Sequence, residues 1–369
     1  LLQAVTWLLQ VLPLFFFAGA AAATFGLSSR PPQPPGRWLL TRAQRLLRPV
    51  FWYLLAVGGV LLAAHAAGAT VAADLIARMG VQLLWFLGAY LVVLAVVPLL
   101  QHITTTRQAV GAVAVAWAAT AGIDCVRLTM GWEALGAAAF LTVWAIPAIA
   151  GVAYARGLIA PALGATAAGS FLLVDVALVA FGPYEVSLVT VPGQTLSNMN
   201  PPTLLVAGHA IVLCGLAVAF RMFLARVVDR PRVWWWIVLG NRGAMTLYLW
   251  HLPVLALLIG GGELVGMSRD RSPDGMYVVV IGGQTAILLA LMVPVVALLA
   301  RLENRPLRWW DAPVVGHGGR VRDGAVLATL VVVAVAILMT ARTGLVGDGW
   351  YWVTIAVAGA VVARALDEP

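Results

Sequence analysis

The stretch GAMTLYLWHLPVLALLIGG, Gly243–Gly261, is an uninterrupted apolar run with one titratable side chain, His251, near its middle. It holds no Asp, Glu, Lys or Arg, and it is long enough to cross the hydrocarbon core of a bilayer as a helix. Asn241 and Arg242 precede it directly. Ionisable groups are costly in hydrocarbon, so an intramembrane histidine is by default a functional-site hypothesis. The run therefore predicts a membrane-spanning helix with a candidate site residue inside it.

The composition extends that prediction to the whole chain. Of its 369 residues, 62% are hydrophobic and only 10% are charged. Because each span must satisfy its own backbone hydrogen bonds and the runs lack the alternation of barrel strands, we predict an all-α, polytopic transmembrane helical bundle. The formal charge of +8 comes from arginines in short segments between apolar runs, which argues against a nucleic-acid partner. No two histidines lie within one helical turn, so no metal site is predicted.

The apolar runs give eleven candidate spans. By residue number they are 2–27, 47–68, 80–101, 108–127, 134–155, 158–181, 203–225, 233–261, 277–300, 324–341 and 349–364. Arginines concentrate after the first, seventh and ninth spans, and the positive-inside rule makes those segments cytoplasmic. We therefore predict a multi-pass protein of the plasma membrane with a cytoplasmic carboxyl terminus. An outside amino terminus without a signal peptide, on a chain that starts at Leu1, leads us to expect a further helix before the first span.

The segment RAQRLLRP, Arg42–Pro49, has an arginine at every third position, namely Arg42, Arg45 and Arg48. On a helix this spacing gathers three guanidinium groups on one face, just where the chain enters the membrane. Arginine forks suit phosphate oxygens, so the three are candidates for binding a phosphate-bearing donor. The alternative is that they only anchor the helix end to lipid phosphates.

Five segments of the chain together carry a resemblance to a known family. They are LPLFFFAGAAAATFG at 12–26, RAQRLLRP at 42–49, WFLGAYLVVLAVVPLL at 85–100, LSNMNPPT at 196–203 and LGNRGAMTLYLWHLPVL at 239–255. In order and spacing they resemble the membrane-bound acyltransferase 3 family in its actinobacterial form. The resemblance implies an O-acyltransferase that moves an acyl group from a cytoplasmic donor, usually acyl-CoA, to a hydroxyl of a cell-envelope sugar, polysaccharide or glycolipid. It implies no bound cofactor; the implied partners are membrane lipids, the acyl donor and the glycan or glycolipid acceptor.

The resemblance also implies roles for particular residues. The family's arginine pair falls on Arg42 and Arg45, and its Tyr-Leu-x-His helix falls on Tyr248, Leu249 and His251. Family members open with a helix that bears an arginine and a histidine, and nothing before LLQAVTW supplies them. We therefore expect that this first helix is missing from the chain. The predicted domains are an acyltransferase-like transmembrane core at 1–310 and a carboxyl-terminal extension with two short transmembrane helices at 311–369.

Acyl transfer to an alcohol needs a base that takes the hydroxyl proton during attack on a thioester, and histidine titrates near the working pH. We predict His251 as a catalytic residue, together with Asp175 in the middle of the apolar run GSFLLVDVALVAFG. An uncompensated carboxylate there is costly, so Asp175 is expected to be protonated, paired or in contact with a wet cavity. For His251 the alternative is a ring satisfied by neighbouring helices.

The remaining polar candidates lie beside an apolar run or a turn. Those predicted to contact substrate are Tyr248, Asn241, Arg242, Asn198 and Asn200. Turn and capping chemistry is the alternative for the two asparagines of LSNMNPPT. Asp124 and Arg127, three residues apart, are interpreted as a local ion pair.

Two other functions compete with acyl transfer. A transporter or exporter of a lipid-linked or anionic solute would favour an internal repeat with paired broken helices. The sequence shows no repeat, and only Gly240–Gly243 looks like a break. A structural membrane subunit gives no reason for Arg42, Asp175 and His251 to occur together.

Overall fold

The computed structural model describes residues 2–28, 33–191, 193–194, 196–264, 277–314 and 319–367. These residues form fourteen α-helices and contain no β-strand, so the predicted all-α fold is confirmed. The helices are α1 Leu2–Leu9, α2 Leu12–Ser28, α3 Pro35–Ala66, α4 Thr70–Met79, α5 Leu84–Leu100, α6 Thr106–Met130, α7 Gly136–Ala155, α8 Pro161–Phe181, α9 Leu204–Ala219, α10 Arg221–Val228, α11 Pro231–Leu264, α12 Tyr277–Glu303, α13 Arg320–Thr343 and α14 Gly349–Asp367.

The described residues contain ten stretches that are long and apolar enough to cross a membrane, or eleven if the bent pair of α9 and α10 is one span. The polytopic bundle is therefore confirmed. Helices α9 and α10 meet at an angle of 63°. Helix α3 begins at Pro35 rather than near residue 47, since proline is well suited to the first turn of a helix, and it therefore includes the arginine segment. Helix α13 has 24 residues and is longer than the short span predicted.

The chain divides into two compact units, and the division falls within α5. The first unit consists of Leu1–Gln33 and Val92–Asp229, and the second of Pro34–Leu91 and Arg230–Pro369. The second unit thus includes α13 and α14, together with the helices that carry the arginines and His251. The predicted domain boundary at residue 310 stays a prediction.

Helices of the first unit approach one another through small residues. Helix α2 packs on α7, and α8 packs on α9. A Cβ atom at Gly151 of α7 would meet the backbone of Phe17 of α2, so only glycine permits this approach. Beside it Phe16 stacks on Trp144 with 4.6 Å between ring centroids.

A buried ion pair joins α6 to the start of α9 in the same unit. The guanidinium of Arg127 lies 2.8 Å from Oδ1 of Asp124, and the two side chains are 3% and 1% exposed. The other carboxylate oxygen accepts hydrogen bonds from the backbone N–H of Leu204, at 2.6 Å, and from the hydroxyl of Tyr184, at 3.1 Å. Asp124 therefore also satisfies an N–H group at the first turn of α9, where a negative charge is favourable.

In the second unit, α13 packs on α14 and on α3, and α11 packs on α12. The amino-terminal end of α3 is held by Asp323 in the first turn of α13. The backbone N–H groups of Gly36 and Arg37 donate to its carboxylate at 3.0 and 2.9 Å. Since the first N–H groups of a helix have no intrahelical partner, this contact fixes the end of the helix that bears the arginines.

Candidate functional site

The three predicted donor-binding arginines lie on α3 in different surroundings. The guanidinium of Arg42 lies over the ring of Trp38, 4.0 Å from its centroid. Arg45 is exposed and forms no ion pair within the described part of the chain. Arg48 is half-buried and lies 3.5 Å from the carboxylate of Asp311. The arginine with the greatest freedom to bind an external phosphate is thus Arg45, between two arginines held by the protein.

The segment 304–314 packs against α3 next to these arginines. The side-chain amide of Gln44 donates to the carbonyl oxygens of Trp310, at 2.6 Å, and Ala312, at 2.9 Å. The indole of Trp310 donates back to the carbonyl of Gln44 at 3.1 Å. This reciprocal contact places Asp311 beside Arg48. The arginines of this segment predict a cytoplasmic connection, but nothing in the sequence indicates this packing.

His251 is half-buried on α11, and its ring nitrogens have different roles. Nδ1 lies 2.8 Å from the carbonyl oxygen of Tyr248 and 3.1 Å from that of Leu247. Both partners only accept hydrogen bonds, so in the neutral ring Nδ1 carries the proton and Nε2 holds the lone pair. No group in the described ranges bonds to Nε2. His251 therefore presents a base nitrogen in a defined tautomer.

Tyr248 lies one turn before His251 on α11, with 6.2 Å between ring centroids. Its hydroxyl donates to the carbonyl oxygen of Leu83, and its ring packs against Phe86 with 5.5 Å between centroids. The tyrosine thus fastens α11 to the start of α5. A direct contact of its hydroxyl with substrate requires that this hydrogen bond be shared or exchanged.

Glu303, the last residue of α12, is a candidate site residue that no sequence pattern indicates. It is 3% exposed. Its two carboxylate oxygens accept hydrogen bonds from the hydroxyl of Thr246, at 2.5 Å, and from the indole of Trp250, at 2.7 Å. Thr246 and Trp250 are one helical turn apart on α11, on either side of Tyr248. The carboxylate therefore fixes the rotation of α11 at the level where it carries Tyr248 and His251.

The arginine helix and the histidine helix meet through two aromatic rings. Tyr53 of α3 packs edge-on against Trp250 of α11 with 5.1 Å between ring centroids. Along α3, Tyr53 is roughly 12 Å from Arg45 and 17 Å from Arg42, at 1.5 Å per residue. The second unit thus places the arginines and His251 on two helices in contact, with the arginines two to three helical turns along α3 from that contact.

Glu303→Gln is expected to lower the melting temperature, and to lower about tenfold the acyl transfer that the resemblance implies, because the amide offers one acceptor where the carboxylate offers two. The measurement is a product assay together with thermal unfolding in detergent. Glu133→Gln, which removes a carboxylate that is 75% exposed, is the control and should change neither. Wild-type activity in Glu303→Gln would contradict a role of these bonds in positioning α11.

The first unit contains two buried titratable side chains with no hydrogen-bond partner among the described residues. Asp175 of α8 is 0% exposed, and both its oxygens are unbonded. Its carboxylate packs against Gly208 of α9, where a Cβ atom would collide with it. His209 is also buried with both nitrogens unbonded, and its ring lies edge-on to Trp7 at 5.5 Å. Asp175 is a predicted site residue, whereas His209 is not, and its only signal in the sequence is a lone histidine deep in an apolar run.

The polar groups of Asn198 are used within its own loop. Its buried amide nitrogen donates to the carbonyls of Glu185 and Ser187 at 2.7 and 2.8 Å, and its oxygen accepts from the hydroxyl of Thr203 at 3.0 Å. This geometry favours turn and capping chemistry for Asn198. The other predicted contacts are exposed side chains: Asn200, Asn241 and Arg242. Nowhere in the described ranges do three or more His, Cys, Asp or Glu side chains group as metal ligands would.

Comparison with known proteins gives one match. A protein-family model described as an acyltransferase domain matches residues 1–301. The comparison with curated proteins and the comparison with solved structures each gave no match. Both the arginines of α3 and His251 lie within the matched range, whereas Glu303 lies just beyond it.

Proposed function

The chain belongs to the acyltransferase 3 family, and from this premise we propose that it transfers an acyl group from acyl-CoA to a hydroxyl of a cell-envelope sugar, polysaccharide or glycolipid. A membrane acyltransferase is what the family and the apolar helices support in general. The donor, the acceptor, the plasma membrane and the cytoplasmic carboxyl terminus belong to the proposal.

The observation that carries the proposal is the tautomer of His251. An acyltransferase that uses an alcohol needs a nitrogen lone pair that accepts the hydroxyl proton. With Nδ1 bonded to the carbonyl oxygens of Leu247 and Tyr248, Nε2 has that role. His102, just beyond the end of α5, makes the same local contact but is exposed. The tautomer of His251 therefore counts together with its half-buried position on a membrane-spanning helix.

The arginines of α3 support a donor that carries phosphates far from its thioester. In acyl-CoA a flexible arm separates the two groups. Along α3, Tyr53 lies roughly 12 Å from Arg45 and 17 Å from Arg42. If these two arginines bind the phosphates of the donor, its flexible arm spans that distance to the contact between Tyr53 and Trp250. A donor with its phosphate next to the acyl group does not span this distance.

In the proposed reaction Nε2 of His251 takes the proton of the acceptor hydroxyl as its oxygen attacks the thioester carbon. The new ester C–O bond forms and the C–S bond breaks. The imidazolium then returns the proton to the departing thiolate, so that ester and free thiol are produced with no net change in protons. Glu303 acts as a positioning residue through Thr246 and Trp250. Asp175, Asn200, Asn241 and Arg242 remain proposed site residues, whereas the contacts of Asn198 favour a structural role in its loop.

Arg42→Ala and Arg45→Ala are each expected to weaken acyl-CoA binding about tenfold, because each removes a charge-assisted hydrogen bond to phosphate. Arg→Lys at the same positions keeps the charge but not the fork and should recover part of the loss. Binding is measured by calorimetry with acyl-CoA in detergent. The matched control is Arg226→Ala, an exposed arginine of α10. If all four variants bind like the wild type, the arginines anchor the helix only.

A further inference from the structure

A groove of about 300 Å³ in the second unit is lined by apolar and aromatic side chains. Its walls come from α3, from the segment 304–314 and from α14. They include Phe51, Trp52, Leu55, Leu307, Trp309 and Val353. Two elements beyond the acyltransferase match, the 304–314 segment and α14, thus build part of it.

The groove lies on a different face of α3 from the proposed catalytic site. Residues 51, 52, 54 and 55 centre on the helix face opposite Tyr53. Tyr53 is the residue that packs on Trp250 of α11. An occupant of the groove is therefore separated from His251 by α3 itself, which argues against the acyl chain of the donor.

The segment that walls the groove also carries positive charge. Arg305 and Arg308 are both exposed, and neither forms an ion pair within the residues that the structure describes. Arg308 stands between two lining residues, Leu307 and Trp309. The indole of Trp52 donates to the carbonyl of Arg305 at 3.2 Å, which fixes that arginine beside the wall.

Neighbouring carboxylates do not neutralise these two arginines. Asp311 pairs with Arg48 at 3.5 Å. Glu303 is buried and bonded to Thr246 and Trp250. Along the chain, two exposed arginines without a carboxylate partner among the described residues thus adjoin the residues that line an apolar groove. An apolar groove and nearby guanidinium groups together suit a ligand with an anionic head attached to an aliphatic chain.

We propose that this groove binds one chain of an anionic phospholipid whose phosphate lies between Arg305 and Arg308. The chain fills apolar space within the bilayer at little cost, and the phosphate receives charge-assisted hydrogen bonds. Bound there, the lipid joins α3, the 304–314 segment and α14. The proposal does not depend on the acyltransferase reaction, because its ligand and its face of α3 differ from those of the proposed site.

The test uses the full chain in nanodiscs of phosphatidylcholine with increasing phosphatidylglycerol, and native mass spectrometry counts the lipid retained. The double variant Arg305→Gln/Arg308→Gln is expected to weaken phosphatidylglycerol binding about 30-fold. The matched control Arg226→Gln/Arg230→Gln removes equal charge from two exposed arginines that do not line the groove and should bind within about twofold of the wild type.

A second pair of variants tests the groove without changing charge. Val353→Phe fills it and is expected to reduce phosphatidylglycerol binding, whereas Val361→Phe, on an exposed part of the same helix, should not. Melting temperatures in pure phosphatidylcholine show which variants are folded. Equal losses in both arginine double variants, equal retention of phosphatidylcholine, or displacement of the lipid by inorganic phosphate alone would each overturn the proposal.

Discussion

Asp124→Ala is expected to lower the free energy of unfolding by about 3–5 kcal/mol, because the buried charge of Arg127 loses its 2.8 Å partner and keeps only the more distant, exposed carboxylate of Glu133. The backbone N–H of Leu204 and the hydroxyl of Tyr184 lose their acceptor in the same step. The loss of a buried partner of a side chain that is only 3% exposed is much more costly than the loss of a surface contact. The measurement is thermal unfolding of the full chain in detergent, with intrinsic tryptophan fluorescence as the probe.

Arg127 offers an internal control for this prediction. Its second carboxylate neighbour, Glu133, lies 3.7 Å away and is 75% exposed. Glu133→Gln should therefore change stability by less than about 1 kcal/mol, as is usual for surface ion pairs. Asp124→Asn keeps an acceptor and should fall between the two. If Asp124→Ala and Glu133→Gln have similar melting temperatures, the buried contacts of Asp124 contribute no more to stability than the exposed contact of Glu133, and the prediction is wrong.

This cluster also shows what local spacing reveals. Three residues separate Asp124 from Arg127, which on a helix places both side chains on one face, so the sequence alone predicted their ion pair. Tyr184 and Leu204 lie 60 and 80 residues further along the chain. Nothing in the local pattern at Asp124 indicates that these two groups arrive there. The ion pair could be predicted from the sequence, but the hydrogen bond from the first residue of α9 to Asp124 could not.

The same limit applies to the fold and the candidate site. Membrane spans are predictable because hydrocarbon permits few alternatives to a long apolar helix. The start of α3 at Pro35 was missed because the residues before the apolar run are stabilised by Asp323 from another helix, which hydropathy cannot detect. Glu303 was missed because its partners, Thr246 and Trp250, are 57 and 53 residues away. In the sequence, Glu303 resembles the solvent-exposed charged residues that commonly end a membrane span.

His251→Asn is expected to reduce acyl transfer by roughly 10²- to 10⁴-fold, the range typical of losing a general base. Asparagine retains an N–H donor for the carbonyl oxygens of Leu247 and Tyr248 but offers no basic nitrogen. The helix contact is therefore kept while the chemistry is removed. Because the arginines of α3 are unchanged, acyl-CoA binding should stay within about twofold of the wild type.

A matched histidine separates catalysis from helix packing. His102 is exposed in the first unit, and its Nδ1 lies 2.9 Å from the carbonyl oxygen of Leu99, three residues earlier, as Nδ1 of His251 does with Tyr248. His102→Asn thus makes the same local exchange at a histidine that is not a proposed site residue, and it should leave activity unchanged. A similar small loss in both variants would mean that Nε2 of His251 accepts no proton.

Tyr248→Phe distinguishes the proposed base from the residue that supports it. The phenol is bonded to the carbonyl of Leu83, so its removal breaks a contact of α11 rather than a proton-transfer step. We expect a loss of about tenfold or less, accompanied by a lower melting temperature. A loss as large as that of His251→Asn with unchanged melting would instead place the Tyr248 hydroxyl at the reacting atoms. The contacts of Nδ1 leave the lone pair of Nε2 of His251 available to accept a proton. We therefore expect a much larger loss of acyl transfer in His251→Asn than in Tyr248→Phe.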